Sequence, residues 1–201
     1  SGLRMASGHF DLDMIRDHPG RVLEIADALG IEAVFVPWLA PDTRPADAGG
    51  WRAFGAALAK AGEPYWASGR TFGWHNHDFE FAATPSGEMP LDLILAADPR
   101  LALELDIAWV TRGGQDPVAW IEKYRDRIAA VHVKDIAPPG ERADEDGWAD
   151  VGHGVLDWPA LLKAVQATTA KLLVMEHDNP SDDRRFATRS LAAIRAMKGA
   201  G

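Results

Sequence analysis

Short apolar segments rich in β-branched residues alternate along this chain with longer segments in which apolar residues recur at helical spacing. Six of the short segments have the length and composition of strands. They cover residues 3–9, 33–38, 71–77, 101–109, 129–135 and 171–177. Strands that alternate with helices in this way are typical of a parallel sheet with helical crossovers, and the pattern predicts an α/β fold.

Helix signals between the strands support this prediction. Pro19 begins and Gly30 ends a segment with apolar residues at i, i+3, i+4 and i+7. Asp157 and the run Ser181-Asp182-Asp183 provide acceptors at the start of the last two helices. No low-complexity linker divides the chain, so we expect one domain over residues 1–201.

The length decides how many βα units the chain can hold. An eight-stranded βα barrel takes ~250 residues, or ~31 for each unit, so 201 residues correspond to about six and a half units. The chain is therefore either an open doubly wound sheet or a barrel that lacks its first two units.

Polar residues near the carboxyl ends of the last four strands favour the barrel. In each of these strands one face is apolar and the other carries ionisable side chains. The four residues are His75, Asp106, His132 and Glu176. Such side chains converge on one point only if the sheet curls around it, so we predict a (β/α)8 TIM-barrel type of fold with six parallel strands.

Two imidazoles and two carboxylates form a donor set for a divalent metal. The set suits Mn²⁺, Co²⁺, Fe²⁺, Zn²⁺ or, less well, Mg²⁺, and a chain without cysteine offers no thiolate ligand. Each residue alone could be an ordinary core or loop residue. Four together predict a metal site, because burying several ionisable groups without a metal or a partner is expensive.

Two further residues are candidates for chemistry. Lys134 shares the inward face of its strand and could polarise a substrate carbonyl, or it could pair with Asp135. Glu80 follows His77 by three residues and could act as a ligand or base, or be a solvated loop carboxylate. If neither Glu176 nor Glu80 is the base, His77 and Lys134 are the next candidates.

Four residues are expected to contact a substrate. His9 and Trp38 end the first two predicted strands, and Trp109 lies near a strand end where its ring could stack on a sugar. His153 lies between Gly152 and Gly154, on a loop that could approach a ligand or simply form a turn.

Composition excludes several partners. The chain has 21 Lys and Arg against 30 Asp and Glu, a formal net charge of -9, which would repel a nucleic-acid backbone. Its apolar runs fall far short of the ~20 residues of a membrane span. We expect neither nucleic-acid nor membrane partners, and we favour a cytoplasmic location.

Five motifs follow one another over essentially the whole chain: Trp74-His75-Asn76-His77-Asp78-Phe79-Glu80-Phe81, Glu104-Leu105-Asp106-Ile107-Ala108-Trp109-Val110, His132-Val133-Lys134-Asp135, Gly152-His153-Gly154 with Asp157-Trp158, and Met175-Glu176-His177-Asp178. In this order they resemble the sugar phosphate isomerase/epimerase family of xylose isomerase-like TIM barrels. This family includes inosose dehydratase, tagatose 3-epimerase and hydroxypyruvate isomerase.

The resemblance implies a divalent metal, most often Mn²⁺, held by His75, Asp106, His132 and Glu176. It also implies a role in carbohydrate metabolism, as an isomerase or epimerase that moves a proton next to the carbonyl of a sugar or keto-sugar through an enediolate. Epimerases carry Glu where His75 stands, whereas the inosose dehydratase-like branch carries His. A dehydratase or lyase, or a non-catalytic sugar-binding subunit, therefore stays open as an alternative.

The family pattern has two βα units before the segment that matches residues 3–9. We therefore expect the chain to be an N-terminally incomplete barrel domain, or to be completed by a partner chain in a homo-oligomer. Unpaired strand edges would otherwise favour aggregation or swapping.

Overall fold

The computed structural model describes residues 2–199 of the chain. Its six parallel strands lie in one sheet in the order in which they follow one another along the chain, which confirms the predicted α/β fold with six parallel strands. The chain divides into two compact units, Ser1–Glu104 and Leu105–Gly201.

The first unit contains three complete βα segments and most of a fourth strand. Its elements are β1 (Ser7–His9), α1 (Leu12–Asp17), α2 (Pro19–Leu29), β2 (Ala33–Val36), α3 (Ala48–Ala67), β3 (Thr71–His75), α4 (Pro90–Leu95) and β4 (Ala102–Asp106). Parallel pairing joins β1 to β2, β2 to β3 and β3 to β4. In the last pair His75 lies opposite Glu104, so both side chains belong to the same layer of the sheet.

The second unit begins inside β4 and carries the remaining elements. They are α5 (Ile107–Arg112), α6 (Pro117–Lys123), β5 (Ile128–Val133), β6 (Asp135–Ile136), β7 (Trp148–Ala149), α7 (Trp158–Val165), β8 (Leu172–Met175) and α8 (Asp183–Gly199). Strands β5 and β8 pair in parallel, with Val133 opposite Met175. Strands β6 and β7 form a small antiparallel sheet that the sequence did not predict.

Local signals place the helix ends where the sequence predicted them. Helix α2 begins at Pro19 and ends at Gly30, whose φ of 72° is accessible to glycine without strain. The Asp157 carboxylate accepts a hydrogen bond from the backbone N–H of Ala160 at the start of α7. Asp182 accepts one from the N–H of Arg185 in the first turn of α8. Acceptor side chains thus satisfy N–H groups that the helices leave unpaired.

All six predicted strands are longer than the strands that the structure contains. The segment 3–9 is a strand only from Ser7, and Leu3 is 85% exposed. The segment 33–38 ends at Val36, before Pro37, which has no N–H to donate. The segment 101–109 ends at Asp106, whose carboxylate caps α5, so Trp109 lies on a helix.

The other three segments also end early, at His75, Val133 and Met175. Consequently, the polar residues that follow these strands belong to loops or to the small β6-β7 sheet. Among residues 2–199, no helix is both long enough and apolar enough to cross a bilayer.

We expect Gly73→Ala to destabilise the protein, because a Cβ atom there would lie 1.9 Å from the carbonyl oxygen of Ala102 on β4. Overpacking of this kind typically costs about 1–3 kcal/mol. Gly20→Ala is the control, since a Cβ at this exposed helical position meets nothing within 4 Å. It should stabilise by about 0.4–1 kcal/mol. Urea denaturation measures both, and a Gly73→Ala protein as stable as wild type would contradict the close approach of β3 and β4.

Candidate metal centre

Three of the four predicted metal ligands lie together in the second unit. Asp106 ends β4, His132 lies in β5 and Glu176 follows β8. The Nδ1 atom of His132 lies 3.7 Å from Oδ2 of Asp106 and 3.4 Å from Oε2 of Glu176. Asp106 and His132 are buried, and the Glu176 side chain is 30% exposed. The centre is therefore reachable from solvent on the Glu176 side.

This spacing fits a divalent ion. Bonds of about 2.0–2.2 Å from one ion to nitrogen and oxygen ligands place neighbouring ligand atoms roughly 3–3.5 Å apart. The ligand atoms of the three residues all lie within 4.8 Å of one another. An imidazole and two carboxylates suit Mn²⁺, Fe²⁺, Co²⁺ or Zn²⁺, and do not by themselves select one of these metals.

A fully buried lysine lies beside these carboxylates. The Nζ atom of Lys134 donates to Oδ2 of Asp178 at 2.6 Å and lies 3.0 Å from Oε2 of Glu176. It lies 3.9 Å from Oδ2 of Asp106. Lys134 therefore pairs with Asp178 and Glu176, and the alternative pairing with Asp135 is not what the structure contains.

His132 and the lysine together determine the charge state of Glu176. Burial alone would raise the pKa of this carboxyl group. The contact with His132 and the positive charge of Lys134 outweigh burial, and together they hold the pKa well below its usual range. Glu176 is therefore a carboxylate at neutral pH, as a metal ligand or a base must be.

Two tryptophan rings enclose the same lysine. Its Nζ atom lies 4.1 Å from the ring centroid of Trp148 and 5.0 Å from that of Trp109. The two rings meet edge to face at 4.8 Å, and the guanidinium of Arg112 covers the Trp148 ring at 3.2 Å. Trp109 was a predicted substrate contact. Trp148 was not identified from the sequence because it lies on the unpredicted β6-β7 sheet.

Asp135 and the glycines near His153 have a structural role. The buried Asp135 carboxylate accepts hydrogen bonds from the backbone N–H groups of Ile136, Gly152, Gly154 and Leu156. A Cβ atom on Gly154 would lie 2.2 Å from the Asp135 side chain. The loop therefore passes so close to Asp135 that position 154 has no room for a side chain. His153 itself lies exposed on the loop.

In the first unit, His75, the fourth predicted metal ligand, lies beside His9 and Glu104. His75 ends β3 and is 3% exposed, and its ring lies 5.1 Å from that of His9 at the end of β1. Both imidazoles face the buried carboxylate of Glu104. Glu104 begins the second of the five sequence motifs, but the sequence indicated no role for it.

Glu80 is wholly buried, so the alternative of a solvated loop carboxylate is wrong. One carboxylate oxygen accepts from the indole N–H of Trp74 at 2.7 Å, and the other accepts from the backbone N–H of His77 at 2.8 Å. Burial nevertheless dominates and raises the pKa of Glu80 to about 8. A carboxyl group of this kind exchanges its proton near neutral pH.

Trp38 and His77 belong to an aromatic cluster that follows β2 and β3. Trp38 is 44% exposed, and its ring meets His77 at 4.7 Å and Phe79 at 5.4 Å, edge to face in both cases. The Arg44 guanidinium lies 3.6 Å from the Phe79 ring centroid and 4.5 Å from that of Trp38. The cluster presents an aromatic surface to solvent at the carboxyl ends of the strands.

Parallel strands joined by helices, with ionisable side chains at the strands' carboxyl ends, define the class of βα-barrel proteins. Within that class, the chain belongs to the family of xylose isomerase-like TIM barrels, whose model matches residues 15–197.

Solved structures with the same fold have related names. A sugar phosphate isomerase/epimerase from Parabacteroides distasonis is 24% identical, with a TM-score of 0.78 over 98% of this chain and 71% of that one. The 3-keto-D-glucoside 4-epimerase of E. coli is 17% identical, with a TM-score of 0.66 over 98% of this chain and 80% of that one.

A probable 3-DHS dehydratase from Bacillus anthracis is 14% identical, with a TM-score of 0.68 over 98% of this chain and 77% of that one. No curated protein sequence matches the chain. At these identities the similarity shows the fold. Epimerases, isomerases and a dehydratase share it.

We expect the buried Glu80 to make stability depend on pH. Its pKa is about 8 in the folded protein against an ordinary value of 4.5, so folding favours the protonated form. The stability that this group contributes is complete below about pH 4.5 and is lost as the pH rises towards 8. Urea unfolding over this range should show a smaller decline for Glu80→Gln than for wild type. Glu63→Gln, at an exposed site, is the control, and parallel curves for wild type and Glu80→Gln would contradict the shift.

Proposed function

We propose that the protein is a metal-dependent isomerase or epimerase of a sugar or keto-sugar. The observation that supports this most directly is the group of Asp106, His132 and Glu176, whose ligand atoms lie within 4.8 Å of one another beside the ammonium of Lys134. An ionised carboxylate, a buried cation and metal ligands are the groups that proton transfer next to a carbonyl requires.

In this proposal His75 completes the ligand set, as the family resemblance implies, and Mn²⁺ is the expected metal. A bound divalent ion supplies Lewis acidity, which lowers the pKa of the carbon acid next to a carbonyl. The protein contributes donors on strand ends and, in Lys134, a cation that can donate a hydrogen bond to a developing oxyanion.

The two glutamates have complementary charge states. Glu176 has a lowered pKa and is ionised, which suits a base that removes a proton from carbon. Glu80 has a pKa of about 8 and holds a proton at neutral pH, which suits an acid that returns one. We propose that Glu176 acts as the base and Glu80 as the acid, with His77 and Lys134 as the remaining candidates.

The aromatic residues supply a binding surface. Trp38 is 44% exposed beside His77, and sugars stack their apolar C–H faces on such rings. We propose that Trp38, with His9, Trp109 and His153, contacts the substrate.

A dehydratase is the second candidate function. His75 stands where the dehydratase-like branch of the family carries His, and one structure with this fold is a probable 3-DHS dehydratase. In that case the same enediolate would expel a β-hydroxyl group as water. Mass analysis of the products separates the two, because dehydration lowers the substrate mass by one water and isomerisation leaves it unchanged.

We expect the protein to bind Mn²⁺ with an affinity that depends on the ligands of the second unit. His132→Ala and Glu176→Gln should each reduce the metal bound per chain, as measured by equilibrium dialysis and elemental analysis. Binding should also weaken below about pH 6, where imidazole ligands become protonated. His18→Ala, at an exposed site, is the control. If both ligand variants bind as much metal per chain as wild type, the proposed metal centre is contradicted.

We further expect Glu176→Gln and Glu80→Gln to lose exchange of solvent deuterium into the carbon next to the carbonyl. Each change keeps the size of the side chain but removes a proton-transfer group, the base at Glu176 or the acid at Glu80, which typically contributes about 10²–10⁴-fold to the rate. The measurement is NMR of keto-sugars and inososes incubated with the Mn²⁺-loaded protein in D₂O. Exchange at the wild-type rate in both variants would exclude these residues, and binding without exchange in wild type would indicate a sugar-binding subunit.

A further inference from the structure

Glu104 of β4 is a buried carboxylate that the proposed reaction does not use. Its side chain is 1% exposed, and it lies opposite His75 in the register of β3 and β4. Its Oε2 atom is in direct hydrogen-bond contact with Nε2 of His9 and lies 3.5 Å from Nδ1 of His75. One carboxylate oxygen therefore faces two imidazoles, from β1 and β3.

The three residues could in principle hold an ion of their own, because two imidazoles and a carboxylate are a common donor set for zinc. Nε2 of His9 is in direct hydrogen-bond contact with Oε2 of Glu104, which favours the role of a hydrogen-bond partner for the imidazole. Nδ1 of His75 lies 3.5 Å from the same oxygen, at ion-pair distance.

This arrangement selects one form of His75. A neutral imidazole has one N–H, and a nearby carboxylate favours the tautomer that directs this N–H towards it. With Nδ1 facing Glu104, the proton belongs on Nδ1, and Nε2 keeps its lone pair. Histidines that bind metals are commonly held in this way, by a carboxylate on the ring nitrogen that does not bind the metal.

We propose that Glu104 is a positioning residue for His75. It fixes the tautomer in which Nε2 is available to a metal, and it places a negative charge behind a neutral ligand. The proposal rests on the proposed function in one respect, namely that His75 binds the metal. The same carboxylate orients His9, whose side chain is 36% exposed at the end of β1.

The tautomer can be measured without any metal. Long-range ¹H–¹⁵N NMR of the metal-free wild-type protein, with the His75 signals assigned by comparison with His75→Gln, reports which ring nitrogen carries the proton. We expect the proton on Nδ1. A proton on Nε2 would overturn the proposal, whether or not the protein binds Mn²⁺.

Metal affinity gives the second measurement. Glu104→Gln keeps the side-chain volume and removes the charge, and it should weaken Mn²⁺ binding by about 10–100-fold, the usual effect of losing such a partner. Glu32→Gln is the matched control in the same unit, since Glu32 is exposed and pairs with Arg4. Circular dichroism shows whether each variant is folded. An unchanged affinity in folded Glu104→Gln protein would overturn the proposal.

A double variant separates positioning from general damage to the fold. His75→Glu alone places a carboxylate against Glu104, and like charges in a buried position repel. His75→Glu combined with Glu104→Gln moves the charge to position 75, and we expect it to bind Mn²⁺ more tightly than either single variant. If the losses of Mn²⁺ affinity in the two single variants add up in the double variant, the proposal is overturned. It is also overturned if the wild-type chain binds two ions and Glu104→Gln binds only one, because Glu104 would then itself be a ligand.

If wild type binds no Mn²⁺, the proposed function fails, and the tautomer measurement still decides the role of Glu104. If wild type binds Mn²⁺ and Glu104→Gln binds it equally well, only the inference about Glu104 fails.

Discussion

The buried ammonium of Lys134 is the constraint on which the second unit depends. A charge that is 0% exposed is stable only if opposite charges are brought to it with good geometry. The loop after β8 provides them, because Glu176 and Asp178 lie on it and both reach Nζ. The faces of Trp109 and Trp148 add further stabilisation of the cation. The path of this loop is therefore determined by the lysine that directly follows β5.

A second ionic network holds the same loop from its far end. The buried carboxylate of Glu145 accepts hydrogen bonds from the backbone N–H and the hydroxyl of Ser181 and from Arg185. Arg185 lowers the pKa of Glu145 to about 2, so the carboxylate stays ionised. Asp150 in turn pairs with Arg185 and Arg189 on α8. The segment that carries Glu176 is thus fixed at Lys134 and at Glu145, which leaves its carboxylate little freedom.

The sequence predicted those features that depend on local spacing. Alternation along single strands identified Asp106 and His132 as inward polar residues, and Pro19, Gly30 and Asp157 marked helix ends that the structure confirms. It overestimated strand length because Pro37 and the capping role of Asp106 compete with an extended backbone. The β6-β7 sheet escaped prediction because its two-residue strands are too short to show a period.

What the sequence could not supply is the environment of each carboxylate. Glu80, Glu104 and Glu145 are all buried, whereas Glu63 and Glu32 are exposed. Glu80 meets neutral N–H donors and its pKa rises, whereas Glu145 meets Arg185 and its pKa falls. Glu104 meets two imidazoles that arrive from strands 95 and 29 residues earlier in the chain. Charge state is decided by these tertiary partners, so the same residue type serves as a proton donor, a structural anion and a support for a ligand.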